Sequence, residues 1–251
     1  MKSQVQDRFH DFYHTWFCKL EEILHHLLQL STLRTQMLPL KEHDVNVQHL
    51  VNTATTHIKQ YYTVKWAEAR EDVLPFFAPT WLTPLENASS WITGWKPSMV
   101  FRLVRSLATA SFGMSEEQAR KIEELRMRMR MEEEKVEREM ERLQVAMADH
   151  KMVELAKLSS RAEGSGPGVA AGREGEVAVK GVLDGLERTM KGADCVRLKT
   201  LKGVLDLLTP LQCVEFLAAV LALQLRLRQW GKKETGMPHV PRLNERRPVT
   251  N

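Results

Sequence analysis

Thr209–Leu225, TPLQCVEFLAAVLALQL, is the stretch on which the fold turns. Thr209 followed by Pro210, with Gln212 three residues on, reads as an N-cap, a proline at the first helical position and a capping-box amide. From Val214 to Leu225 apolar residues occupy every side of the helix, interrupted only by Glu215 and Gln224. A helix with no side for water belongs at the centre of a bundle. The run is too short for the roughly 20 apolar residues of a membrane span, so a buried helix is predicted, ending at Gly231.

Upstream, the pattern is helical almost throughout. From Asp7 to about Leu33, Phe9, Phe12, Tyr13, Trp16, Leu20, Ile23, Leu24 and Leu27 recur at three and four, giving one apolar stripe. A second helix, about Asp44 to Glu71, has a weaker stripe through Val47, Leu50, Val51, Ala54, Ile58, Tyr61 and Lys65-Trp66. Thr83-Pro84 with Glu86 predicts a short capped helix stopping at Gly94, and Ser98 a further helix to about Ala110. Ser115 with Gln118 opens a long charged helix to about Leu158. Its seam of Ile122, Leu125, Met129, Val136, Leu143 and Ala146 also holds Glu132 and Glu139, which predicts packing in the first half and projection or light pairing in the middle. Residues 159–175, with Gly-Ser-Gly-Pro-Gly near the centre, read as a flexible linker, followed by a helix from Val177 to Leu208 that Gly185 and Gly192 are expected to weaken. No strand pattern occurs. The expected fold is an all-α helical bundle over residues 7–231, with one long charged helix and a Gly-rich linker before the last two helices. Residues 232–251 read as a basic disordered tail.

The 251 residues are 43% hydrophobic and 27% charged, which excludes collagen-like, disulfide-scaffold and wholly disordered chains. The formal charge of +4 is unevenly placed. Arg226, Arg228, Lys232, Lys233, Arg242, Arg246 and Arg247 oppose only Glu234 and Glu245, so residues 226–251 carry +5 and the rest sum to −1. A neutral body with a basic end does not describe a DNA-binding domain; the seven basic residues are candidates for an anionic surface such as lipid headgroups. Cys18, Cys195 and Cys213, an odd number without short spacings, point to a reducing compartment. The first residues hold no apolar run of a signal peptide, so an intracellular protein is expected.

Chemistry-bearing patterns are few. His10, His14, Glu21 and His25 share one side of the first helix, but no His-Glu-x-x-His or zinc-type Cys spacing accompanies them, and a solvated face is the expected reading. Gly164–Gly175 follows a helix rather than a strand and lacks the P-loop lysine pattern. Neither metal nor cofactor is implied, and no catalytic constellation argues for an enzyme. The tryptophan-rich segment 79–97 is more informative. Trp81, Trp91 and Trp95 either pack a core or anchor a partner, and they are the candidate partner-binding residues.

Three separated stretches then resemble one plant family: Phe9-x-x-Phe-Tyr-x-x-Trp; Thr80-Trp-Leu-x-Pro-Leu-Glu with Trp91-Ile-x-Gly-Trp-Lys-Pro-Ser; and Ala193-Asp-x-x-Arg-Leu with Leu208-Thr-Pro-x-Gln and Arg226-Leu-Arg-x-Trp. Together they are similar to the delay-of-germination domain, which also forms the C-terminal half of TGA-type bZIP transcription factors. The match runs from about Asp7 to Gly231. With the domain starting near residue 7, a preceding basic region and zipper are not expected, nor is bZIP-type DNA binding. Some relatives bind haem through C-terminal histidines; only His239 lies beyond the last helix here, so no haem ligand is carried over. The Arg-Leu-Arg-x-Trp-Gly ending is most similar to the inaperturate-pollen proteins. That resemblance implies a non-enzymatic scaffold specifying pollen aperture sites at plasma-membrane domains through protein partners, among them kinases or phosphatases. The alternative it implies is a nuclear regulator of seed dormancy or transcription, acting through phosphatase or bZIP partners. Oligomeric state, pairing of the long helix with another chain, and a small ligand in the bundle interior stay open.

Overall fold

The computed structural model describes residues 4–33, 40–110, 113–149, 152–153 and 169–234, and among them all regular structure is helical. Among the described residues the principal helices are, in order, α1 (Gln4–Leu33), α2 (Leu40–Ala69), α3 (Leu74–Phe77), α4 (Pro84–Ala88), α5 (Ser98–Ala110), α6 (Glu116–Met147), α7 (Val169–Leu207) and α8 (Pro210–Glu234).

As its composition predicts, α8 is the central element. It packs against α1, α2, α4 and α5, and Phe216, Leu217 and Leu221 are wholly enclosed. By length and hydropathy α8 is apolar enough to cross a membrane, but much of that apolar surface is spent inside the bundle. The stripe of α1 packs against it with Phe9, Tyr13, Leu20 and Leu27 buried in the core, each such side chain contributing roughly 1.5–3 kcal/mol. Phe9 sits edge-on to Phe76 at 4.8 Å and tilted against Trp81 at 4.7 Å, which brings the short helix α3 into the same core. Between α1 and α2 the link is reciprocal. Trp16 Nε1 donates to the His57 carbonyl and His57 Nε2 to the Trp16 carbonyl, each at 2.9 Å, with the rings stacked 5.2 Å apart.

Local signals placed the helix starts well. Thr83 and Glu86 form the full capping box, as do Ser115 and Gln118. Thr209 and Gln212 form the third, and the two glutamines are also joined: Gln118 Nε2 donates to Gln212 Oε1 at 2.9 Å, while Gln212 Nε2 reaches the Gly113 carbonyl at 2.9 Å. The first turns of α6 and α8 are thus tied to each other.

Besides ending the long charged helix at Met147 rather than near Leu158, the structure corrects four boundaries or roles. First, α4 ends at Ala88 rather than at Gly94. Second, the expected linker at 159–175 is shorter at its end, because 169–175 already belong to α7. Residues 159–168 lie outside the described residues. Third, Gly231 does not stop α8, which runs to Glu234, so 232–234 are helix rather than tail. Gly231 instead admits a neighbour: a Cβ there would lie 2.1 Å from Thr83 Oγ1. Residues 235–251 lie outside the described residues.

Fourth, α6 does not project. It packs along α7, with Ile122, Leu125, Met129 and Val136 buried. Leu125 lies over Gly203, Val136 over Gly192 and Leu143 over Gly185. As one residue number rises by eleven and then seven, its partner falls by eleven and then seven, which is antiparallel packing; eighteen residues make five turns, so the seam stays aligned. The acids at 132 and 139 lie off the contact and pair locally, Glu132 with Lys135 at 2.6 Å and Glu139 with Arg142 at 2.5 Å. The seam of the long helix is therefore occupied from within the chain.

All three tyrosines (Tyr13, Tyr61 and Tyr62) are packed in or against this core, and burial pushes each phenol above its ordinary value near 10. A phenol that ionises less readily in the folded state leaves stability intact below pH 10 and removes it above, once the unfolded chain ionises, by about 1.4 kcal/mol per pH unit per group. Tyrosinate absorbance is expected to appear together with the loss of helical circular dichroism in an alkaline titration. Three phenols ionising near pH 10 with the helices intact would contradict this packing.

Candidate functional site

The tryptophan-rich segment is held from below by two buried cations. Loop 91–95 turns tightly: Trp91 N–H donates to the Gly94 carbonyl at 2.6 Å, and Ile92 and Thr93 adopt φ of 38° and 57°. Left-handed backbone at two β-branched residues is costly, of the order of 1–2 kcal/mol each, and persists only where surroundings enforce it. Here the loop points a group of carbonyls inward. Arg197 of α7 donates through Nε to Trp95 O at 2.7 Å and through its second terminal nitrogen to Trp91 O and Ile92 O. Lys65 of α2 donates to Thr93 O at 3.1 Å. Gly94 is required by this approach rather than by a helix end, since a Cβ would stand 2.9 Å from Arg197 Cζ.

One acid balances both cations. Asp194 Oδ1 accepts from Lys65 at 3.0 Å and from Arg197 at 2.6 Å, while Oδ2 accepts from Trp66 Nε1 at 3.0 Å. Lys65 is only 1% exposed. Burial pushes its ammonium down to about 8, with Asp194 pulling the other way. Outside this cluster Trp91 Nε1 and Lys96 share Glu137, at 2.9 and 2.7 Å, and Glu133 accepts the Ser98 N–H. The α5 N-terminus is thus met by a carboxylate from α6, which suits the positive end of a helix. Burial raises the Glu133 carboxyl against the pull of that hydrogen bond and of Lys96.

A second buried pair docks α4 on α8. Arg228 donates to Trp81 O at 3.0 Å and to Glu86 at 3.3 Å, and its guanidinium lies 5.0 Å from the Tyr13 ring and 4.8 Å from that of Phe17. Glu86 already closes the Thr83 capping box, so one carboxylate serves helix start and interhelix contact together.

These contacts redistribute the candidate residues. Trp81 is 4% exposed and is core, not an anchor for a partner. Trp91 and Trp95 are half-buried, and Trp91 is engaged by Glu137 and lies under Arg197 at 5.3 Å, so the segment's main task is internal. Arg228, 5% exposed and paired with Glu86, is withdrawn from any anionic surface. Arg226 and Lys233 are exposed and Lys232 is half-buried. Arg242, Arg246 and Arg247 lie outside the described residues. The His10 and His14 rings lie 4.6 Å apart on α1, tilted against each other, His25 bonds Gln29, and no group of three His, Cys, Asp or Glu suited to a metal occurs among the described residues. Burial raises the Cys213 thiol to about 11, and it contacts the Leu205 carbonyl at 3.4 Å, as a core thiol does. A surface groove of about 600 Å³ runs between α2 and α7, with Val51 and Leu201 in its lining and Lys59, Lys199 and Lys202 beside it.

Two residues of this region are read in the sequence only as parts of a pattern, without a role. Lys65 falls on the apolar stripe of α2, one turn from Tyr61 and Tyr62, where a lysine signals burial against an acid. Trp230, at the end of Arg226-Leu-Arg-x-Trp, is 51% exposed, while Trp81, Trp91 and Trp95 turn inward.

Comparison with known proteins gives a consistent set of similarities. A family model described as "DOG1: Seed dormancy control" matches residues 29–106. Protein DOG1-like 4 of Arabidopsis thaliana is 51% identical over 239 residues, covering 95% of this chain and 98% of that protein. Protein ZW2 of Arabidopsis thaliana is 29% identical over 233 residues, 91% and 98% of the two chains. Transcription factor TGA5 of the same plant is 30% identical over 187 residues, 74% of this chain but 54% of its own.

Proposed function

The chain belongs to the DOG1 family, and from that premise we propose that it is a regulator of seed dormancy that works by binding other proteins. The observation that carries this is the 51% identity sustained over 98% of DOG1-like 4, within a family described as controlling seed dormancy. The physical support is a bundle whose buried ion clusters hold its loops and helices in one arrangement, as a binding scaffold requires. The similarity to transcription factor TGA5 supports a place in the regulation of transcription, and cytoplasm and nucleus are the compartments proposed for it.

Aperture specification in pollen, at a plasma-membrane domain, is the narrower reading. Its support is the Arg226-Leu-Arg-x-Trp resemblance, and one arginine of that motif faces inward. Expression of the full chain in Arabidopsis thaliana, with freshly harvested seeds and pollen scored in the same lines, separates the two. Delayed germination with normal apertures is expected. Unchanged germination with altered apertures would overturn the dormancy reading.

A further inference from the structure

The outward side of α8 differs from the rest of this helix. Leu223 and Trp230 are 42% and 51% exposed although they sit on a helix apolar enough by composition to cross a membrane. Advancing 100° per residue, Leu223, Arg226, Trp230 and Lys233 fall within about 80° of one another, and Leu223 and Trp230 lie about 10 Å apart along the axis. Half-exposed Ala219 and Ala222 continue the same side toward the N-terminus, where a partner backbone can approach closely. At the other end α4 is fixed on α8 by the Thr83–Gly231 contact and presents exposed Leu85. The whole face is backed by the Arg228–Glu86 pair, so it is presented on a rigid element.

We propose that this face, centred on Leu223 and Trp230 and flanked by Arg226 and Lys233, docks an acidic amphipathic helix of a protein partner. Two apolar anchors seven residues apart match the i, i+3/i+4, i+7 spacing with which helices recognise one another, and Trp and Arg are the side chains most enriched among energetically dominant contacts. The flanking charges select the partner's sign: Arg226 and Lys233 lie on one edge of the anchors, so glutamates beside the partner's leucines meet opposite charge. A protein helix fits better than an anionic bilayer. Glu215 and Glu234 bracket the same side of α8, and two large apolar side chains form a narrow strip, whereas a bilayer would meet all of these charges at once. The proposal rests on the partner-binding reading above and supplies the class of partner.

The test uses the full chain and a fluorescein-labelled synthetic helix with leucine on one face and glutamate on the other, followed by anisotropy. Binding is expected to weaken as salt rises and to fall about tenfold or more in Trp230→Ala. It is expected to be lost in the charge reversal Arg226→Glu with Lys233→Glu, and the version of the peptide carrying lysine for glutamate is expected not to bind. Leu223→Ala provides a second, independent apolar variant, with circular dichroism to show that each variant keeps its helices. Absence of binding, or binding indifferent to Trp230 and to the charge reversal, overturns the proposal. So does Trp230-dependent binding to phosphatidylserine vesicles without peptide binding, or a dimer that Trp230→Ala dissociates. Failure of the functional reading is separable: peptide binding as expected with unchanged germination leaves the docking face standing and removes dormancy.

Discussion

Asp194→Asn is expected to destabilise the protein by about 3–5 kcal/mol, a large share of the 5–15 kcal/mol typical of a domain. The carboxylate is fully enclosed and serves three donors, Lys65, Arg197 and Trp66. Asparagine keeps one acceptor oxygen but loses the charge, leaving two buried cations without their shared counter-ion. Its amide nitrogen would also face a donor, whether turned toward Trp66 Nε1 or toward the cations. The effect then spreads to loop 91–95, whose left-handed residues are held through Arg197 and Lys65. Urea unfolding at neutral pH measures the loss. Lys65→Met is the informative partner, because it removes one cation and leaves the Asp194–Arg197 pair intact, so it should cost less. A change below about 1 kcal/mol for Asp194→Asn would mean that water reaches the cluster.

The two arginines of Arg226-Leu-Arg-x-Trp should separate just as sharply. Arg228→Ala is expected to cost about 3–5 kcal/mol, since it leaves Glu86 buried without its cation, the Trp81 carbonyl without that donor, and a gap between Tyr13 and Phe17. Arg226→Ala, two residues away and exposed, should stay within about 0.5 kcal/mol. Thermal or urea unfolding of the two single variants decides the matter. Equal effects would remove the distinction between an inner and an outer arginine, and with it the reassignment of the basic cluster.

Much of the architecture was legible because its signals are local. A capping box joins residues three apart, so Thr83/Glu86, Ser115/Gln118 and Thr209/Gln212 could be read along the chain, and all three form. The stripe of α1 and the all-round apolarity of α8 are likewise properties of single segments. The glycines of α7 were harder. In sequence Gly185 and Gly192 look like weak points; in the bundle they are where Leu143 and Val136 of α6 approach.

Trp81 and Arg228, two of the candidate residues, could not be placed from sequence for a related reason. A tryptophan-rich loop and a run of arginines have the composition of a docking surface, and composition does not say which side chains turn inward. That choice depends on partners far along the chain: Arg228 meets Trp81 across 147 positions and Lys65 meets Asp194 across 129. Sequence by itself determined most of the helices, the three capped starts and the burial of α8, because propensity, capping and periodicity act within a few residues. Only the tertiary structure decided that Trp81 and Arg228 are internal while Trp230 and Arg226 face outward, because burial of a cation is settled by whether an acid and a set of carbonyls converge on it.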